Sequence, residues 1–147
     1  MRNVDGKENL IVFPHRLDGE KHPEVFDELA RNLKKELPGW WFVKTKDVCK
    51  TKEDYYSLLG RAKIAVSCAT QETFGYAMLE AAANGCYPIT PDALSYAEMP
   101  IYNGWRYKTY EEMVAKSMDA VGQTEPFADP DGSKYSTEKV LARIFGL

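Results

Sequence analysis

The sequence has only three cysteines among 147 residues, and Cys49, Cys68 and Cys86 stand far apart without a C-x-x-C pair. That scatter argues against a structural zinc cluster and against a disulfide framework, so a reducing, cytoplasmic setting is expected. Long apolar runs are missing as well. The opening MRNVDGKENLIVF is too polar for a secretion signal, and no stretch approaches the roughly 18 apolar residues that span a bilayer. Nor is there an excess of positive charge: 19 basic against 22 acidic side chains leave a formal charge of −3. The overall basic footprint of a free-standing nucleic-acid binder is therefore absent, although a local patch stays open. There is no internal repeat and no low-complexity tract. What remains, 44% apolar and 28% charged residues, is the composition of one globular domain with a real core.

Hydrophobic patterning then sets the fold class. Leu10 to Phe13 is a short continuous apolar run closed by Pro14, the mark of a strand buried on both faces. Pro23 opens a helix with acids early, Lys34 and Lys35 late, and Phe26, Leu29, Leu33 and Leu37 along one side; Pro38-Gly39 ends it. Trp41 to Val43 gives a second apolar strand. Thr51, three residues before Asp54, caps a helix expected to run through Leu59 and Ala62. Ile64 to Ser67 is a third strand. After CATQETF, an alanine-rich helix is predicted from about Gly75 to Asn84, with Gly85 as its stop, and Tyr87 to Thr90 is a fourth strand. Helices over Tyr110 to Val121 and Thr137 to Phe145 follow, separated by a loop from Gly122 to Ser133. This alternation predicts an α/β chain, a Rossmann-like three-layer α/β/α arrangement with helices on both faces of a parallel sheet.

Ligands in such sheets bind beyond the carboxyl ends of the strands, which singles out HRLDGEK after the first strand and CATQETFG after the third. In the first loop Arg16 and Lys21 lie five apart with Gly19 between them. A guanidinium fork and a flexible ammonium together suit a diphosphate; a solvated basic loop is the plain alternative. In the second region Glu72 and Glu80 lie eight apart, a helical rise of about 12 Å, too far for a retaining glycosidase dyad near 5.5 Å. Separate binding roles fit better. Tyr76 and Glu80 share a helix face, leaving Met78, Ala81 and Ala82 to pack on the sheet. Glu80 there could accept hydrogen bonds from vicinal hydroxyls, or be an ordinary exposed helix glutamate. The amides of Thr73, Phe74 and Gly75 open the helix and could receive a phosphate.

These two loops together resemble the carboxyl-terminal domain of retaining, GT-B-fold glycosyltransferases of the family 4 type. That family's pattern pairs R-x4-K with E-x7-E, matched by Arg16 to Lys21 and Glu72 to Glu80, and ETFGYAMLEAAANGCYPI follows its central motif closely. The resemblance implies one half of a GT-B fold. It implies that Arg16 and Lys21 bind the donor diphosphate, that Glu72 with the backbone at Phe74 and Gly75 holds the donor sugar, and that Glu80 takes the ribose hydroxyls. Thr73 and Tyr76 border that site. The donor is then a nucleoside diphosphate sugar, the reaction retains anomeric configuration, and no metal or other cofactor is required. An amino-terminal acceptor-binding domain is implied as partner. FPHRLDGEKHPEVF and LEAAANGCYPITPDALSYAEM are similar to the subgroup of queuosine-tRNA mannosyltransferases, which implies a tRNA acceptor. One departure is DALSYAEM, ending in Glu98, where family members often have a glycine pair; this bears on donor-sugar selectivity.

Other features have plainer readings. Asp129-Pro130-Asp131 before Gly132 matches a D-x-D metal motif but is explained by turn chemistry. His15 and His22 flank the phosphate loop without partners at metal-ligand spacing, so loop or capping duty is expected of them. Trp40, Trp41, Tyr55 and Tyr56 could stack a base, with most expected in the core. Two competing functions remain: a non-catalytic nucleotide-binding or scaffold module of the same fold, and another doubly wound nucleotide protein such as a sugar epimerase. The epimerase reading requires a glycine-rich first turn, which the sequence lacks.

Overall fold

The computed structural model describes residues 7–15, 19–68, 76–93, 96–97 and 100–128. Five parallel strands form the sheet in the order β2-β1-β3-β4-β5. They are β1 (Glu8–Phe13), β2 (Trp41–Lys44), β3 (Ala62–Val66), β4 (Tyr87–Pro91) and β5 (Arg106–Tyr107). The helices are α1 (Pro23–Lys34), α2 (Thr45–Val48), α3 (Lys52–Arg61), α4 (Tyr76–Ala83) and α5 (Tyr110–Val121). This is the Rossmann-like α/β arrangement expected.

β1 and β3 are the central strands, and their side chains from Leu10 to Phe13 and Ala62 to Val66 are all buried, apolar throughout except for Lys63. α1 seats Phe26, Leu29 and Leu33 on the sheet, with Phe26 tilted against Phe13 at 5.4 Å between ring centroids. α4 buries Met78, Leu79, Ala81 and Ala82, which leaves Tyr76 and Glu80 on the half-exposed side.

Helix ends follow their local chemistry. Thr51 Oγ1 accepts from Asp54 N at 3.0 Å and Thr109 Oγ1 from Glu112 N at 3.1 Å, each satisfying a donor that the first turn leaves open. α4 closes on Gly85, at φ +89°, with Cys86 N donating to Ala81 O and Gly85 N to Ala82 O, a Schellman closure that favours glycine. Two buried lysines serve other helix ends. Lys7 Nζ donates to Leu59 O and Asn84 O, while Lys63, inside β3, reaches Val121 O and Gln123 O and lies 5.7 Å from the centroid of Trp40. Cations at these carbonyl ends complement the helix dipoles.

Several expectations are corrected. The third helix stops at Arg61, because Ala62 already pairs with β1 and begins β3. α1 ends at Lys34, although Leu37 stays buried beyond it. Trp41 is not core: β2 is an edge strand and that indole is 69% exposed. α2 and the two-residue β5 were not foreseen, since neither is long enough to show a period. The helix expected over 137–145 and the 129–132 turn lie outside the described residues.

Candidate functional site

The carboxyl ends of β1 and β2 and the outward side of α4 enclose a cavity of about 500 Å³. Its wall includes Pro14, His15 and Lys21 from the segment after β1, Thr45, Lys46 and Cys49 to Lys52 from the segment after β2, Tyr55 of α3, and Tyr76, Ala77 and Glu80 of α4. A volume of this size falls in the usual range for a small-molecule site.

Lys21, Tyr76 and Glu80, singled out from motifs more than fifty residues apart, thus face one cavity. Lys21 sits in a single 3₁₀ turn, Gly19–Lys21, and is only 8% exposed. Arg16, Glu72, Thr73, Phe74 and Gly75 lie outside the described residues, as does Glu98.

The electrostatics are lopsided. Among the described residues, four ammonium groups line the cavity, on Lys21, Lys46, Lys50 and Lys52, against the one carboxylate of Glu80. Such a wall attracts anions. Burial raises the Glu80 pKa above the ordinary carboxylate range, while a hydrogen bond from the Tyr56 hydroxyl and the charge of Lys52 pull the other way. Burial first, and the same hydrogen bond second, push the Tyr56 phenol up to about 12. Glu80 is therefore an acceptor held in a partly dry wall, where a hydroxyl donor from a ligand is worth more than in water. Among the described residues no group of three His, Cys, Asp or Glu side chains gathers at metal-binding distance.

The two histidines divide. His22 occupies the N-cap position of α1 at φ 53°, its Nδ1 2.9 Å from Glu24 Oε1, in keeping with a loop and helix-start role. His15 belongs to the cavity wall. It is 4% exposed in the cavity wall, with Nε2 2.8 Å from Ser67 Oγ and its ring edge-on to Phe13 at 5.2 Å.

Sequence reasoning missed the segment after β2. Thr45, Lys46, Cys49, Lys50, Thr51 and Lys52 all line the cavity, and the signal was the run KTKDVCKTK, four lysines in nine residues at a strand end. Tyr55 lies between the two readings offered for it: packed against the core, yet part of the cavity wall.

No protein-family model matches the chain. It is 35% identical over 95 residues, 63% of its length, to the tRNA-queuosine alpha-mannosyltransferase of Drosophila melanogaster, of which it covers 23%. Among solved structures it is similar to a mutant of S. aureus TarM in complex with Fondaparinux, alpha-GlcNAc-glycerol and UDP, with a TM-score of 0.68 and 19% identity. It is similar also to the pneumococcal O-GlcNAc transferase GtfA in complex with UDP and GlcNAc, with a TM-score of 0.62 and 15% identity. These matches take in 99% of this chain but only 36% and 37% of the solved ones. The fold is thus Rossmann-like α/β with GT-B glycosyltransferases as structural neighbours, and the curated relative is a transferase of the same broad kind. No helix among the described residues is long and apolar enough to cross a membrane.

Proposed function

We propose that this chain is the donor-binding domain of a retaining, family 4-type glycosyltransferase, and that its cavity takes a nucleoside diphosphate hexose. The supporting observation is the meeting of Lys21, from the loop after β1, with Tyr76 and Glu80 of α4 around one lysine-rich cavity.

In this reading the ammonium of Lys21, with Arg16 from the same loop, neutralises the diphosphate. As the bond from sugar to phosphate breaks, negative charge collects on the leaving group and positive charge on the sugar, so fixed cations lower the barrier. Glu80, its lone pairs only partly engaged by Tyr56, accepts hydrogen bonds from the ribose hydroxyls. Glu72 and the amides at Thr73, Phe74 and Gly75 hold the sugar, by resemblance to the family. The acceptor is held by a second domain, and the Drosophila relative favours tRNA as that acceptor. Transfer then needs both domains. The chemistry asks for no metal, since protein cations carry the charge.

Calorimetric titration with UDP, GDP and ADP tests the proposal. Binding of one of them, with an affinity that falls as salt rises, is the expected result. Absence of binding by all three at millimolar concentration would overturn it.

A further inference from the structure

The sheet order sets the carboxyl ends of its strands in a row: Thr45 after β2, His15 after β1, Ser67 after β3, and Asp92 after β4. The cavity occupies the β2 and β1 part of that row. From His15 a buried chain of polar contacts runs on along it. His15 Nε2 is 2.8 Å from Ser67 Oγ, and Ser67 Oγ is 3.3 Å from the hydroxyl of Tyr96, which is fully buried. The Ser67 backbone is fixed too, its N–H donating to Ile89 O and its carbonyl accepting from the Tyr107 hydroxyl at 2.7 Å.

Tyr96 belongs to the segment after β4, and that segment is strapped down from the other side. Arg106 pairs with Asp92 at 3.2 Å and donates to the carbonyls of Tyr96 and Ala97 at 3.3 and 2.6 Å. The Tyr102 ring meets Tyr96 edge-on at 5.2 Å. A single polar line therefore joins a side chain in the cavity wall to a segment two strands away, about 10 Å at ordinary strand spacing.

Resting on the reading of the cavity given above, we propose that Tyr96, tied through Ser67 to His15, is a positioning residue for the donor's sugar. If the nucleoside lies between Glu80 and the segment after β2, with the diphosphate at Lys21 and His15, the row continues over the ends of β3 and β4. The sugar then sits beside the segment that Tyr96 anchors. His15 faces the diphosphate end while its Nε2 holds Ser67, so the wall near the sugar is set in register with the wall near the phosphates. Ser67 Oγ can donate to one of its two neighbours while accepting from the other, and loss of the Tyr96 hydroxyl unties the segment from Ser67 without touching the cavity wall itself.

The test compares affinities of the full chain for UDP against UDP-GlcNAc and for GDP against GDP-mannose, in wild type and in Tyr96→Phe. Loss of one buried hydrogen bond predicts a roughly three- to tenfold weakening for the nucleotide sugar, with the bare nucleotide within about twofold. Ser67→Ala also releases His15 at the phosphate end, so it should weaken the bare nucleotide in addition to the sugar-specific loss, and the double variant should add little, because both act on one line. A purely structural chain would move the melting temperature and both affinities together, and equal loss for sugar and bare nucleotide, or no loss for either, overturns the proposal. Should Tyr96→Phe fail to fold, Arg106→Gln, which loosens the same segment from its other side, carries the comparison. Wild type that binds none of the four probes defeats the reading of the cavity; wild type that binds, with ratios unchanged in the variants, defeats the role of Tyr96 alone.

Discussion

Replacing Glu80 by Gln separates binding from stability, because the two should move in opposite directions. The carboxylate is half-buried, and its pKa stands above the ordinary value chiefly because burial penalises the charge. A group whose folded pKa is raised binds its proton more tightly in the folded chain, so stability is greatest below the unfolded value of 4.5 and declines as pH rises through the folded one. Glu80→Gln keeps the shape and the Tyr56 contact but removes the buried charge. At pH 8 the variant should melt at or above the wild-type temperature, and its stability should vary less between pH 4 and pH 7. Binding should suffer. Two hydroxyl donors lose a charged acceptor for a neutral one, a difference of about 0.5–1.5 kcal/mol per hydrogen bond, or about 1–3 kcal/mol for the pair. At 1.36 kcal/mol per factor of ten this is a roughly 5- to 150-fold loss of affinity. Calorimetry on the nucleotide that binds wild type measures it, with the 2′,3′-dideoxy form as control, for which the gap between the two proteins should close. Equal affinity of Glu80→Gln and wild type for the ribonucleotide refutes the contact.

Three further substitutions probe the phosphate end and the frame. Arg16→Ala should weaken nucleoside diphosphate binding by about 1.5–3 kcal/mol, the range for a lost charged hydrogen bond, and flatten its salt dependence; an unchanged titration removes Arg16 from the site. Gly85→Ala should lower stability by about 1–3 kcal/mol in chemical denaturation, since the backbone is at φ +89° and the new Cβ would lie 3.0 Å from Lys7 Cε. Thr51→Ala should cost about 0.5–2 kcal/mol by loss of the cap on Asp54 N, read as a lower denaturation midpoint at unchanged slope.

The elements legible in the sequence were those whose burial is one-sided or complete. β1 announced itself through the unbroken apolar run Leu10 to Phe13 and β3 through Ile64 to Val66, and α5 matched from Tyr110 to Val121 because Met113, Ser117 and Ala120 recur at helical spacing toward the sheet. β2 misled because its apolar composition does not reveal that it lies at the edge, where Trp41 faces solvent. The Ala62 boundary failed for a related reason: alanine suits helix and strand alike, and pairing with Glu8 across the sheet decided it.

At the candidate site, Lys21, Tyr76 and Glu80 could be named from spacing, since strand ends and a helix face fix where they point. The lysines after β2 could not. Their place in the cavity depends on which strand neighbours β1, and strand order is a tertiary fact that local pattern does not carry. His15 is the same lesson in one residue: its partner Ser67 lies 52 positions away, so only the sheet brings them together.

A crystal structure of the chain soaked with the nucleoside diphosphate that binds it tests the central claim most directly. The phosphates should lie within hydrogen-bond distance of Lys21 and Arg16, with the ribose hydroxyls on Glu80. A nucleotide seated elsewhere on the molecule, or held in the cavity with its phosphates turned away from Lys21, would contradict the account.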